Sequence, residues 1–462
     1  MGDIYQGGFF NIVNFFYAIF LTDVVGISPF WAGAVFLVGK VWDAVTDPAM
    51  GIISDNTRSR FGRRRPYIIL GAPLILIAFI MMWFPLSGGT EAARVIYYIF
   101  MFILMNTVTS IVSVPFLAMS VELSTDYDER TSISNIRLIV SIASTLICAV
   151  VPMLIVGMYQ DIRTGYIVMS VVFALFFTLP MLMILKVPER KQFSGDKKGT
   201  WKEMFGTLRL KVFRKYIIMY LGIVVAMDVT AMIFAFFMTY NLGRAAELSF
   251  VLGTLLICEV LSIPLATKFA SKTSKNRAVL FGSVGWMICA FGSLFVTAAS
   301  PGFVVYVVAG AIGFSIAFAL VGYTAMFGDV TEVGEYYFGY RSEGGFTGIQ
   351  QFIRKVAAAL ANWVALTLLG IVGFINPLQV VENGVSTIIL QEQTPLVIFT
   401  IRGILGIAPM LLLIPAVVIA ARWKLSKGRH AVLVRYLDRK RAGLEIDSAL
   451  EDEVRGICEP LI

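Results

Sequence analysis

Charge is scarce in this chain. Only 15% of its 462 residues are Asp, Glu, Lys or Arg, while 58% are hydrophobic. Soluble globular proteins carry roughly 25% charged residues. A chain of this length would suggest three soluble domains at about 150 residues each, but there is no polar surface to solvate even one. Histidine is nearly absent. The single His430 lies in the charged C-terminal stretch, which removes the usual ligand set of a metal hydrolase. The four cysteines, Cys148, Cys258, Cys289 and Cys458, form no CxxC pair. Three of them sit in apolar runs, so buried or free thiols are expected and a cysteine-bound metal is not. No G-x-x-x-x-G-K-[ST] loop occurs, so nothing supports ATP-driven work or a nucleotide cofactor. No nucleophile–base pair stands out, and an enzyme is not expected. Neither a basic segment before the first apolar run nor a small-residue cleavage site after it is found, which argues against a cleaved leader.

What the chain has in abundance is apolar runs of bilayer-crossing length, roughly 20 residues. They are continuous rather than alternating with period two, which excludes a transmembrane barrel. Twelve helices are expected, over about 4–27, 30–54, 67–88, 94–122, 133–159, 164–187, 214–240, 247–268, 277–299, 302–327, 344–374 and 396–421. Thirty of the 38 Lys and Arg residues fall in the alternate loops or the tail. That bias places both termini on the cytoplasmic side of an inner membrane. The formal net charge of +8 therefore reports topology and not a nucleic-acid partner. The 36 Phe residues lie at helical spacing and are expected to face lipid or core.

The polar stretch 188–213 divides six helices (1–187) from six (214–421), with 422–462 as a cytoplasmic tail. The segment Asp55-Asn-Thr-Arg-Ser-Arg-Phe-Gly-Arg-Arg-Arg-Pro66 and the basic Ser271-Lys-Thr-Ser-Lys-Asn-Arg277 occupy matching loops in the two halves. The expected fold is thus an all-α membrane protein of two parallel six-helix halves, the major facilitator architecture, with its site at the midplane between them. The protein is expected to be monomeric.

Ionisable residues at membrane depth each need a reason, because a charge at the bilayer centre costs at least ~2.5–3.5 kcal/mol. Trp42-Asp43-Ala-Val-Thr46-Asp47-Pro48 places Asp43 and Asp47 at i and i+4, side by side on one helical face with Thr46 nearby. Two carboxylates in an apolar site require a cation or a proton, and their oxygens suit Na⁺ or H⁺. Ser110 could complete the shell. Gln350-Gln351-Phe-Ile-Arg354-Lys355 supplies a lysine that needs an acidic partner, and Lys355 is expected to bridge to Asp43, Asp47 or both. A fixed ion pair of those acids with Lys40 or Lys355 is the structural alternative. Asn11, Asn14, Ser113, Gln350 and Gln351 offer the paired donors and acceptors that a hydroxyl-rich ligand requires. Interhelical hydrogen bonding is the alternative for each. Arg137 could hold a sugar or an anionic group, or serve a gate with Glu122 or Asp126. Asp228 and Glu259 are isolated acids that could pair with Arg354 or Arg402 or touch the solute, and the sequence does not choose.

Taken in order, Thr22-Asp-Val-Val-Gly-Ile-Ser28, Trp42–Pro48, Asp55 with Gly62-Arg-Arg-Arg-Pro66, Val114-Pro-Phe116 and Asp126-Tyr-Asp-Glu-Arg130 closely resemble the glycoside–pentoside–hexuronide:cation symporters. Met326-Phe-Gly-Asp-Val-Thr-Glu-Val-Gly-Glu-Tyr336, Arg341-Ser-Glu-Gly344 and Lys355 continue the resemblance over most of the chain. It implies uptake of a sugar or glycoside with Na⁺, Li⁺ or H⁺ by alternating access. By position, Asp43 and Asp47 match the family's cation aspartates, Lys355 its coupling lysine, Arg137 its helix-five arginine and Gln350 a sugar-contacting glutamine. Asp55, Arg58 and Arg130 stand as cytoplasmic gate residues. Thr46 replaces an Asn and Ser110 a Thr of melibiose permease. Gly7, Ser113 and Leu117 replace that protein's galactoside-binding groups, so melibiose is not the expected solute. An anionic sugar such as a hexuronide, a larger glycoside, or a non-sugar solute such as a lysolipid remain the alternatives, as does a non-transporting sensor.

Overall fold

Without water to solvate it, an apolar backbone must satisfy its own N–H and C=O groups, and in a single chain segment only a helix does so. The computed structural model is accordingly built of long α-helices. It describes residues 2–59, 62, 64–86, 88–121, 127–183, 205–340, 343–382, 385–442, 444–445 and 447–461. Helix α1 (Asp3–Ile12) is prolonged by π segments at Val13–Tyr17 and Phe20–Val24. Then come α2 (Pro29–Asn56), α3 (Arg65–Met82), α4 (Glu91–Val121), α5 (Tyr127–Gly157) and α6 (Ile162–Met183). The second set is α7 (Lys211–Phe236, continued by a π segment Phe237–Asn241), α8 (Leu248–Lys272), α9 (Lys275–Ser293), α10 (Gly302–Phe338), α11 (Glu343–Ile371) and α12 (Pro395–Ala421).

These twelve segments follow the expected spans, with edges displaced by a few residues. The largest displacement is at α10, which runs on to Phe338 and carries Asp329, Glu332 and Glu335 on its last turns. Of the stretch 188–213, residues up to 204 lie outside the described residues, and Thr207–Arg209 forms one 3₁₀ turn. Among the described residues, nine helices combine the length and hydropathy of a membrane span. α2 is outside that set because Lys40, Asp43 and Asp47 interrupt its apolar face within two turns.

Two features depart from the plain twelve-helix reading. A short antiparallel hairpin joins α11 to α12. Its strands β1 (Leu378–Glu382) and β2 (Val385–Ile389) pair from Leu378↔Ile389 to Glu382↔Val385. The tail is not a free extension. It folds into α13 (Lys427–Arg441) and α14 (Ser448–Cys458), which bury Leu433, Tyr436, Leu437, Leu450, Val454 and Cys458. Leu461 O accepts from Val212 N at 2.9 Å, tying the end of the tail to the start of α7.

Apolar side chains split between two environments. Tyr17, Phe20, Trp83 and Tyr166 interlock inside the first six helices with ring centroids 4.9–6.1 Å apart. Large residues such as Leu70, Leu261, Phe303 and Ile371 lie on the outside, each more than half exposed. A protein in water rarely shows so much outward apolar surface, and in hydrocarbon it carries no penalty.

Candidate functional site

Where α2, α4 and α11 meet, two absent side chains set the spacing. A Cβ on Gly39 would lie 2.0 Å from Phe102, so glycine is what lets α2 close on α4. A Cβ on Gly33 would meet Trp363 and Leu366 at 3.1–3.2 Å, so the same helix also approaches α11 tightly. Trp42 Nε1 donates to Thr107 Oγ1 at 2.9 Å and fixes the rotation of α2 against α4.

With α2 so placed, Asp43 and Asp47 point together into the junction. Asp43 is buried and Asp47 half-buried. Lys355 reaches across from α11, its Nζ 2.6 Å from Asp43 Oδ2 and also on Asp47 Oδ2. From α4 the Ser110 hydroxyl lies 2.6 Å from Asp47 Oδ1 and 3.3 Å from Asp43 Oδ1. Thr46 Oγ1 is 2.9 Å from Ser110 Oγ. Two carboxylates, two hydroxyls and one ammonium thus share a single junction. Two acids this close cannot both stay ionised without a cation, and here the cation is the chain's own ammonium. The alternative pairing with Lys40 does not occur among the described residues.

A second polar group sits at similar depth. Lys40 Nζ donates to Asn14 Oδ1 and Asn14 Nδ2 donates to Asp228 Oδ1, both at 3.3 Å. Arg354 Nη2 stands 4.0 Å from the same Asp228 oxygen. Asn14 lies in the first π segment of α1, and π turns recur at functional positions because they re-aim side chains. The sequence singled out these four residues one at a time, and only the fold joins α1, α2, α7 and α11 into one chain of contacts.

Other expected site residues fall elsewhere. Arg137 makes a bidentate pair with Asp3, Nε to Oδ2 and Nη2 to Oδ1 each 2.9 Å, and lies 5.4 Å from the Phe116 ring centroid. Asp3 was missed in the sequence because it precedes the apolar run. Asn11 Nδ2 donates to Gly7 O at 2.7 Å and to Thr145 Oγ1 at 3.2 Å, so it joins α1 to α5. The Ser113 hydroxyl is buried with no hydrogen-bond partner among the described residues. Gln350 is buried facing Tyr216 and Tyr220, whereas Gln351 is exposed. Arg402 donates to Asn241 Oδ1 at 2.7 Å and does not reach Asp228 or Glu259. Arg58 is exposed just beyond α2, while the side chains of Asp55 and Arg130, and residues Glu122 and Asp126, lie outside the described residues.

The hairpin supplies contacts that the sequence reading lacked. Gln379 Nε2 donates to Val24 O, Arg163 Nη2 donates to Gln379 Oε1 at 2.5 Å, and Ser386 N donates to Asp161 Oδ1 at 3.0 Å. Among the described residues, hydrogen bonds and ion pairs between the first six long helices and the rest lie at the midplane junction or at this hairpin face.

Comparison with known proteins places this geometry in context. A family model described as "MFS/sugar transport protein" matches residues 1–427. The "Sodium-dependent lysophosphatidylcholine symporter 1-B" of Danio rerio is 27% identical over 356 residues, which cover 69% of this chain and 67% of that protein. The "Sphingosine-1-phosphate transporter MFSD2B" of Xenopus tropicalis is 28% identical over 448 residues, covering 89% of this chain and 84% of that one. Among solved structures, nucleoside transporter NupG superposes with a TM-score of 0.62 at 13% identity, covering 92% of this chain and 97% of NupG. At that identity the likeness speaks for the fold alone.

Proposed function

We propose that this chain, which belongs to the MFS/sugar transport protein family, carries a solute together with Na⁺ by alternating access of its two halves. The observation that carries the reading is the position of Lys355 between Asp43 and Asp47. An ammonium held by two carboxylates occupies the place a monovalent cation would take. The surrounding oxygens of Ser110 and Thr46 are hard neutral donors of the kind Na⁺ accepts. The sodium dependence named for the lysophosphatidylcholine relative supports Na⁺, and a proton could load the same carboxylates.

Entry of the cation displaces Lys355, whose charge then needs a new partner. Among the described residues of this junction Lys355, Arg354 and Lys40 balance Asp43, Asp47 and Asp228, so an added cation leaves one positive charge in excess. A solute bearing an acid group supplies the missing charge, so cation and solute stabilise each other's sites. We read the solute as a sugar or glycoside with an anionic group, lying against Gln350 and Ser113. The second reading is a lysolipid, favoured by the names of the two eukaryotic relatives. The hairpin contacts tie the two halves together on one face, and we read the opposite, tail-bearing face as the cytoplasmic one from the distribution of basic residues.

The test is uptake by proteoliposomes under imposed Na⁺ or H⁺ gradients, offering labelled hexuronates, neutral glycosides and lysophospholipids. Gradient-driven accumulation that disappears in both Asp43→Asn and Asp47→Asn is expected. Accumulation that survives both substitutions would refute the coupling site, and movement of lysolipid but no sugar would replace the first solute reading by the second.

A further inference from the structure

On the tail-bearing face, α13 packs against the end of α10. Asp329 and Glu332 stand at i and i+3 on the last turns of α10, on one face of that helix. His430 of α13 meets both of them. Its Nε2 is 2.5 Å from Glu332 Oε2 and 3.2 Å from Asp329 Oδ1. One ligand atom from each of the three side chains lies within 4.8 Å of the other two. Asp329 is buried, and Glu332 and His430 are half-buried. Other contacts hold α13 in register over this cluster. Lys427 Nζ donates to Ser271 O at 3.2 Å, Arg441 grips Glu335 at 2.5 and 2.9 Å, and Tyr436 lies against Tyr336 with ring centroids 5.7 Å apart.

One imidazole and two carboxylates make a donor set that suits Zn²⁺ and its first-row neighbours, whereas Mg²⁺ and Ca²⁺ are held by oxygen alone. Around a tetrahedral Zn²⁺ neighbouring ligand atoms stand about 3.3 Å apart. The His430–Asp329 pair already has that spacing. The His430–Glu332 pair has to open by about 0.8 Å, a small adjustment for a half-buried glutamate. A cavity of about 280 Å³, lined by Ser271, Asn276 and Trp423, adjoins Asp329 and His430 and gives a water ligand room to complete the shell.

Lys275, the first residue of α9, places Nζ 2.5 Å from Asp329 Oδ1. A carboxylate has two oxygens and about four lone-pair sites, so an ammonium and a metal ion can share it. The ammonium is then the outer partner that orients the ligand. Two carboxylates against one ammonium also leave the cluster negative when the imidazole is neutral, which is the form that binds metal.

We propose that Asp329, Glu332 and His430 form a binding site for a first-row divalent metal ion such as Zn²⁺, which joins the tail helix α13 to the end of α10. Two ligands belong to the second six-helix half and the third to the tail, so the bound ion holds the tail in place. The site shares no residue with the midplane junction. It escapes a reading of local spacing because His430 stands 98 positions from Glu332.

The test uses the full-length, tag-free protein with its four cysteines replaced, stripped with EDTA and titrated with Zn²⁺ by calorimetry. Saturation at one Zn²⁺ per chain with a micromolar or tighter Kd is expected, undiminished by excess Mg²⁺. His430→Gln and Glu332→Gln should each weaken binding at least about tenfold, since even the loss of an outer partner costs that much. Zn²⁺ should raise the melting temperature of the parent protein and not that of His430→Gln. A second readout needs no substitution at the site. His430 is the single histidine of the chain, so bound Cu²⁺ should show magnetic coupling to one imidazole in paramagnetic resonance. Absence of saturable Zn²⁺ binding in the micromolar range, binding that His430→Gln leaves unchanged, or Cu²⁺ without imidazole coupling overturns the site.

Discussion

Removal of the Lys355 amine tests the shared junction most directly. In Lys355→Ala the carboxylates of Asp43 and Asp47 lose the one ammonium among the described residues that touches both. A hydrogen bond to a charged partner contributes about 1.5–3 kcal/mol net, and Lys355 makes two. Against this stands the hydration that a displaced Lys355, whose side chain is 20% exposed, recovers in the wild-type protein. A cation entering the wild-type site must therefore break contacts worth about 2 kcal/mol after that recovery. Without the lysine this obstacle is gone, so Na⁺ affinity should rise roughly 30-fold at about 1.4 kcal/mol per tenfold. Solute coupling should be lost, because the displaced charge that recruits the anionic group no longer exists. Trp42, next to Asp43 and hydrogen-bonded to Thr107, is a built-in fluorescence reporter for the titration. The measurement is made at pH 8, since two unpaired carboxylates also take up a proton. An Na⁺ affinity unchanged or weakened, in a protein that retains its melting temperature, sinks the argument.

Three further outcomes follow from packing and pairing. Arg137→Met leaves the buried Asp3 carboxylate without its guanidinium and should destabilise by about 3–5 kcal/mol, with Asp3→Asn in the same chain recovering part of that loss in thermal melts. Gly313→Ala puts a Cβ 2.1 Å from Leu255 O between α8 and α10, where overpacking typically costs about 1–3 kcal/mol. A melting temperature equal to wild type would show that the two helices can part. Gln379→Ala removes the hairpin's bonds to Val24 O and Arg163, so distance measurements between labels on α1 and β1 should show a larger open population on the hairpin face, and an unchanged distribution would show the hairpin is passive there.

Much of the molecule was legible before any fold was seen, and for reasons that attach to particular residues. The i, i+4 spacing of Asp43 and Asp47 fixed their common face, because a helical backbone was the only one the apolar runs allowed. The need of Lys355 for an acidic partner is likewise a property of a charge at membrane depth. The hairpin was missed although Leu378-Gln-Val-Val-Glu382, Asn383-Gly384 and Val385-Ser-Thr-Ile-Ile389 carry a two-residue turn signal between β-prone runs. The expectation of an all-helical chain hid it. His430, set aside as an isolated histidine in a charged tail, meets Asp329 and Glu332 because α10 outruns its apolar stretch by more than two turns.

The sequence by itself determined the solvent and the element type of the chain, and it supplies the expectation of its sidedness. Each depends on local quantities: how apolar a run is, how long it is, and where the basic residues stand. It also determined which residues are too costly to bury alone. Only the tertiary structure decided how those residues pair. Lys40 turns to Asn14 and not to Asp43, Arg137 takes Asp3, and Arg354 rather than Arg402 approaches Asp228. Partner choice among helices hundreds of residues apart depends on helix rotation and approach distance. Gly33 and Gly39 set those for α2 through contacts that no local pattern encodes.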